Sequence, residues 1–193
     1  MKVNAEKFLN NLNQFKLEKT VFFVTGNEEG LVNKIQNIIL SKQKLNAYSE
    51  IKILDLKIDK NINLRELSHN QSLFNKSNFF HIKNPNDSLM GILEKINYNN
   101  NTVVISGENI KNNSKIKKYF DFHKKFYSIV CYRLTKVFKK KLVDELFHKN
   151  NCKLSKDAYW FFLENSSDKY QILENEISKI SNYNKINISI EDI

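Results

Sequence analysis

The chain has 193 residues, a mass of 22.8 kDa and a formal charge of +10, with 41% hydrophobic and 12% aromatic residues. That suffices for one domain, or a domain with a small appendage, around a real core, and it excludes a disordered tail. Four glycines and one proline exclude collagen-like and low-complexity classes. The two distant cysteines, Cys131 and Cys152, exclude a disulfide framework or zinc site, and no run reaches the ~20 apolar residues of a membrane helix.

In chain order, Phe8, Leu9, Leu12 and Phe15 have helical spacing, which predicts a helix within 1–15. The run Thr20–Thr25 ends at Gly26 and reads as a buried, parallel-type strand. Glu28–Lys42 follows as an amphipathic helix with acids in its first turn. Ile51–Leu56 alternates as a second strand, Leu64–Phe74 reads as helical and Asn78–Ile82 as a third strand. Asp87 is positioned to cap a helix through Ile96. Thr102–Ser106 is a fourth strand ending at Gly107, Ser114–Lys125 a basic helix and Phe126–Tyr132 a fifth strand. From there the period is helical only: Leu134–Lys149, Ser155–Glu164 and Asp168–Tyr183, with Ser155 and Asp168 as N-caps. Ile188–Ile193 looks like a helix about to begin.

Alternating strands and helices predict an α/β domain with a mostly parallel sheet over 1–133, and a small helical domain over 134–193. The polar N-terminus lacks a signal-peptide apolar region, so a soluble, cytoplasmic protein is expected. The positive charge is almost all lysine, with Arg65 and Arg133 the only arginines, and asparagine is as frequent as lysine. Such a bias is what an AT-rich coding sequence supplies. Base readers favour the arginine fork, so sequence-independent phosphate contact is the nucleic-acid chemistry left open.

The first strand–turn–helix is where a P-loop would sit, and that motif needs Gly, four residues and then Gly-Lys-Ser/Thr to cradle phosphates and hold magnesium. Gly26-Asn27-Glu28-Glu29-Gly30-Leu31-Val32-Asn33-Lys34 has the wrong glycine spacing, has Leu31 and Val32 where Lys and Ser/Thr belong, and puts two acids beside any phosphate. The fourth strand ends without an Asp and offers only Glu108, read as a lone surface acid. Both halves of an ATP site are missing while the scaffold persists. His69, His81, His123 and His148 form no metal-type spacing, so each is read as a surface or partly buried histidine. Cys131 is read as core, and Cys152, between Lys149 and Lys153, as inert for want of a partner base. Lys136-Val137-Phe138-Lys139-Lys140-Lys141 is read as a solvated helix face ahead of a contact for nucleic acid or an acidic partner. The adjacent Leu73 and Phe74, flanked by Gln71, Ser72 and polar Asn75–Ser77, can be core or an exposed plug for a partner's hydrophobic pocket; spacing alone favours core.

Several of these pieces, in this order, resemble the delta subunit of the bacterial DNA polymerase III clamp loader. They are Phe22–Val32, Ser72-Leu73-Phe74 followed by Phe79–Ile82, Val103–Ser106 with Ser114–Lys118, Leu154–Ala158, Asp168–Ile180 and the closing Ile188–Ile193. The resemblance implies an AAA+-type domain without a functional P-loop, followed by a small helical lid. It implies a component of the DNA polymerase holoenzyme with no catalytic site of its own, no ATP or magnesium and no other cofactor. Its partner would be the sliding clamp, whose ring it binds and opens, with Leu73 and Phe74 as plug residues and Ser72 and Gln71 beside them. Many members carry a glutamine where His69 stands, and Gln71 is the nearest substitute. Other loader subunits would be partners through a third, collar domain that this sequence lacks, so a fragment is expected, and DNA contact would occur within the assembled complex. Two readings compete: an active P-loop NTPase, which the missing Gly-Lys-Ser/Thr opposes, and a basic nucleic-acid-binding module on an inactive P-loop scaffold.

Overall fold

The computed structural model describes residues 1–17, 20–44, 50–58, 78–93, 101–183 and 185–193. They divide into two compact units, Met1–Tyr132 and Arg133–Ile193.

The first unit is built on a six-stranded sheet of β1 (Lys2–Asn4), β2 (Val21–Gly26), β3 (Glu50–Asp55), β4 (Asn78–Lys83), β5 (Asn101–Glu108) and β6 (Tyr127–Cys131). The order is β1-β6-β2-β5-β4-β3 and every pair is parallel. Parallel strands need helical crossovers, which cover both faces, so the central strands must be apolar on both sides. The run Val21–Val24 meets that demand, with all four side chains fully buried. Val21 and Phe23 join Phe80, Ile82, Val103 and Ile105 under the helices α3 (Met90–Leu93) and α4 (Lys115–Phe122). The Phe23 and Phe120 rings stack there at 4.5 Å. On the other face α2 (Glu29–Lys44) buries Leu31, Ile35 and Ile39, and the Phe8 ring of α1 (Ala5–Asn10) meets Phe22 edge-on at 6.3 Å. Each fully buried phenylalanine contributes roughly 2–3 kcal/mol of transfer free energy.

Three local expectations are corrected. The first fifteen residues are not one helix: Lys2–Asn4 is a strand paired with β6, Ala5–Asn10 is helical and Leu12–Gln14 is a single 3₁₀ turn. The open edge of β6 takes up the extended segment, and Asn4 caps the helix after it by accepting from the Lys7 N–H at 2.8 Å. Asp87 is not the cap of its own turn. Asn86 accepts from the Ser88 N–H, while Asp87 reaches across to accept from the Ile116 N–H in the first turn of α4. Asp168 is not the N-cap of the last helix, which starts at Tyr170 after Lys169. Its carboxylate instead lies 3.4 Å from the Arg133 guanidinium.

The second unit comprises α5 (Lys136–Lys149), α6 (Lys156–Asn165) and α7 (Tyr170–Ser181), clipped by a two-stranded parallel pair of β7 (Lys153–Leu154) and β8 (Asn187–Ile188). Thr135 and Ser155 cap α5 and α6 through hydroxyls that accept from the Phe138 and Ala158 N–H groups, each at 3.2 Å. Phe138, Val143, Phe147, Phe162, Leu173 and Ile177 form its interior.

Candidate functional site

Open parallel sheets bind ligands at the carboxyl ends of the strands, where neighbouring connections leave toward opposite faces. Here that place lies between β2, which leads into α2, and β5, which leads into α4. The backbone groups of this turn are taken up within the chain. Gly26 sits against β6 so tightly that a Cβ would come 1.8 Å from the Cys131 carbonyl oxygen. That carbonyl accepts from both the Asn27 and the Glu28 N–H, at 3.1 and 3.3 Å. From the β5 side the Asn109 N–H donates to the Gly26 carbonyl at 3.1 Å, with Asn109 in the left-handed conformation that asparagine tolerates.

The first turn of α2 is then capped from within. Glu28 Oε1 accepts from the Gly30 N–H at 3.3 Å and Oε2 from the Leu31 N–H at 2.5 Å, while the Glu28 carbonyl accepts from Val32. The residue is 4% exposed. A helix N-terminus attracts anions through its free N–H groups and its dipole. In this turn the anion is a carboxylate of the chain itself. It lies close to Cys131, whose thiol is pushed up by burial first and by the Glu28 charge second.

Beside the turn is a cavity of about 200 Å³ lined by Glu29, Gln36, Lys83, Asn84, Ser106 and Glu108 among others. β5 runs on through Glu108, which is exposed at the strand's end. Under the cavity His81 and Ser106 form a buried pair, Nε2 to Oγ at 2.9 Å. Burial, and then the Lys83 charge, lower the His81 pKa to about 4, so the ring is neutral at physiological pH and a weak proton acceptor. Among the described residues no group of three His, Cys, Asp or Glu side chains could hold a metal, and no helix is long and apolar enough to cross a membrane.

The Lys136–Lys141 run is not simply a solvated face. Lys140 pairs with Asp144 at 3.0 Å and Lys141 with Glu145 at 3.5 Å, one helical turn on. Lys139 is buried and donates to the Ser166 carbonyl, and its pKa is lowered by that burial. Cys152 is buried as well. Gln71, Ser72, Leu73 and Phe74, with His69, lie outside the described residues.

No family model matches the chain, and no curated protein matches it in sequence. Solved structures do match in shape. The Bacillus subtilis DNA clamp loader delta protein superposes with a TM-score of 0.57 at 13% identity, covering 97% of this chain and 60% of that one. The replication initiator DnaA, bound to AMPPCP and single-stranded DNA, gives 0.54 at 12% identity, covering 91% of this chain and 58% of that one. Thermotoga maritima RuvB gives 0.51 at 11%, covering 97% and 63%. The chain has an AAA+-like fold. It spans about 60% of the length of the clamp loader delta protein it matches.

Within this AAA+-like frame, the acid that the motif comparison set beside a phosphate occupies the amides themselves. What the sequence reading missed is that both Glu28 oxygens are used. The spacing Glu28-x-Gly30-Leu31 carried that signal, because an N-cap side chain reaches the N–H groups two and three residues on. The His81–Ser106 pair carried a signal only through register, since adjacent parallel strands place Lys83 beside Ser106 and His81 two residues earlier on the same face.

Proposed function

We propose that this chain is a clamp-loader subunit of the delta type, an AAA+-like protein that binds a sliding clamp and opens its ring without hydrolysing ATP. One observation carries the reading: the Glu28 carboxylate fills the first turn of α2 in the turn where a P-loop would sit. A phosphate entering there would have to displace a buried carboxylate and break the backbone bonds of Asn27, Glu28 and Asn109. Such a scaffold works by binding, and sibling subunits would supply the ATP chemistry. The fold likeness to a clamp loader delta protein supports the same reading. By resemblance Leu73 and Phe74 are the plug for a hydrophobic pocket on the clamp, with Ser72 and Gln71 flanking it. Entry into a loader would use a collar domain, and DNA contact would follow within the complex.

The test is binding of this chain to the purified sliding clamp from the same source. Replacing Leu73 and Phe74 together by alanine should weaken binding by about 30-fold or more, as expected for a buried anchor worth at least ~2 kcal/mol, with the thermal transition unchanged. Affinity unaltered by the double substitution sinks the plug, and magnesium-dependent ATP binding at micromolar affinity sinks the non-hydrolysing reading.

A further inference from the structure

The +10 charge is unevenly placed. Residues 111–125 hold six lysines and one aspartate, half of the chain's net charge in fifteen residues. The fold spends little of it. Asp121 is shared by Lys117 at 2.6 Å and Lys2 at 3.0 Å, and also accepts from the Ser128 hydroxyl. Lys111, Lys115, Lys118, Lys124 and Lys125 are exposed, and among the described residues none has a carboxylate within ion-pair distance. The Lys140 and Lys141 side chains on α5, by contrast, are each matched by an acid one turn on.

Their arrangement is also specific. Ile116, Lys117 and Phe120 turn inward and Tyr119 packs partly buried against the same core, which leaves Lys115, Lys118 and Phe122 on the outer stripe of α4 at i, i+3 and i+7. The Phe122 ring is 85% exposed, and the exposed Lys124 and Lys125 follow two and three residues later in the chain. At the other end of the helix a recess of about 260 Å³ is lined by Lys111, Asn112, Asn27 and the half-exposed Tyr132. Lysines alone would suit any polyanion. Lysines interleaved with exposed rings suit one whose phosphates alternate with unpaired bases, because every base has a face to stack and duplex DNA hides it.

We propose that the outer face of α4 together with the segments on either side of it, from Lys111 to Lys125, is a binding surface for single-stranded nucleic acid, with the lysines on phosphates and Phe122 stacked on a base. The proposal uses neither Leu73 nor Phe74, so its test and the clamp-binding test fail or succeed separately.

The experiment is fluorescence anisotropy of a labelled oligothymidylate with the full chain, across a salt series, with a duplex of equal length and polyglutamate as competitors. Binding should weaken with a log–log salt slope of roughly −2, the value for about three neutralised phosphates on a single strand. The Lys115→Glu/Lys118→Glu variant should lose at least tenfold, and Phe122→Ala about fivefold or more. Phe122→Trp should restore binding, which separates stacking from any effect on the helix. The Lys140→Glu/Lys141→Glu and Leu73→Ala/Phe74→Ala variants should bind like wild type. No binding at low salt overturns the proposal. Equal affinity for duplex with no effect of Phe122→Ala overturns its single-strand part, and polyglutamate displacing the oligonucleotide more effectively than the duplex would make the surface one for an acidic protein instead.

Discussion

At the carboxyl edge of the sheet the amides of Asn27, Glu28, Gly30, Leu31 and Asn109 all donate to groups of the chain itself. On α4 and the segments beside it five lysines and an exposed phenylalanine find no such internal use. The edge is where sheets of this class hold a ligand, and here these amides are already bonded. The helix face is unremarkable by fold class, yet it keeps its charge. Polar groups that the fold satisfies contribute to stability, while those it leaves unsatisfied are available to a partner. The two regions should therefore respond differently to mutation, one in stability and the other in binding.

The largest expected effect breaks the closed side. Gly26→Ala drives a methyl group into the Cys131 carbonyl, a backbone atom that cannot swing away. A loss of about 3 kcal/mol or more is expected, above the usual range for overpacking, read as a shifted urea midpoint. A midpoint unchanged within error would show that the β2–β6 contact is loose. The next effect is on pH. His81 is held neutral by burial and by Lys83, with a folded pKa near 4 against 6.5 unfolded. The unfolded chain binds its proton first, so stability is full above pH 6.5 and falls as pH drops toward 4, by on the order of 2–3 kcal/mol. A His81→Gln variant should show a flatter stability profile over that window, and an identical slope would exclude His81 as its source. The smallest effect sharpens the contrast. Glu28→Ala strips two N–H partners and should cost about 1–2 kcal/mol, with Glu28→Gln costing less, while oligonucleotide binding at α4 stays at wild-type strength. A parallel loss of binding would mean that the two regions are linked.

The sheet was readable from sequence because parallel strands covered on both faces must be continuous apolar runs. Val21–Val24 and Val103–Ile105 are such runs, and no helix of that length would be bounded by Gly26 and Gly107 in the same way. The strand Lys2–Asn4 was not readable: three residues carry no periodicity, and only the free edge of β6 makes them extended. The caps divided similarly. Ser155 acts locally and was visible, whereas Asp87 and Asp168 serve partners 29 and 35 residues away in sequence. At the candidate site the missing P-loop residues were plain, but the use of Glu28 as the internal anion depends on the helix starting one residue later than the hydrophobic pattern suggests. The α4 lysines were visible as composition and were discounted. Only their exposure and lack of acidic neighbours set them apart from the α5 run.

The register of β1 sets an order of events during synthesis. Lys2 pairs with Ser128 and Asn4 with Val130, so the earliest strand waits for a partner made some 125 residues later. β2 is in a similar position, since both of its neighbours, β5 and β6, also come late. At the usual ~5–20 residues per second the delay is on the order of ten seconds. Throughout it Val21–Val24 is an exposed apolar strand with two unpaired edges, the form of chain that ribosome-associated chaperones capture.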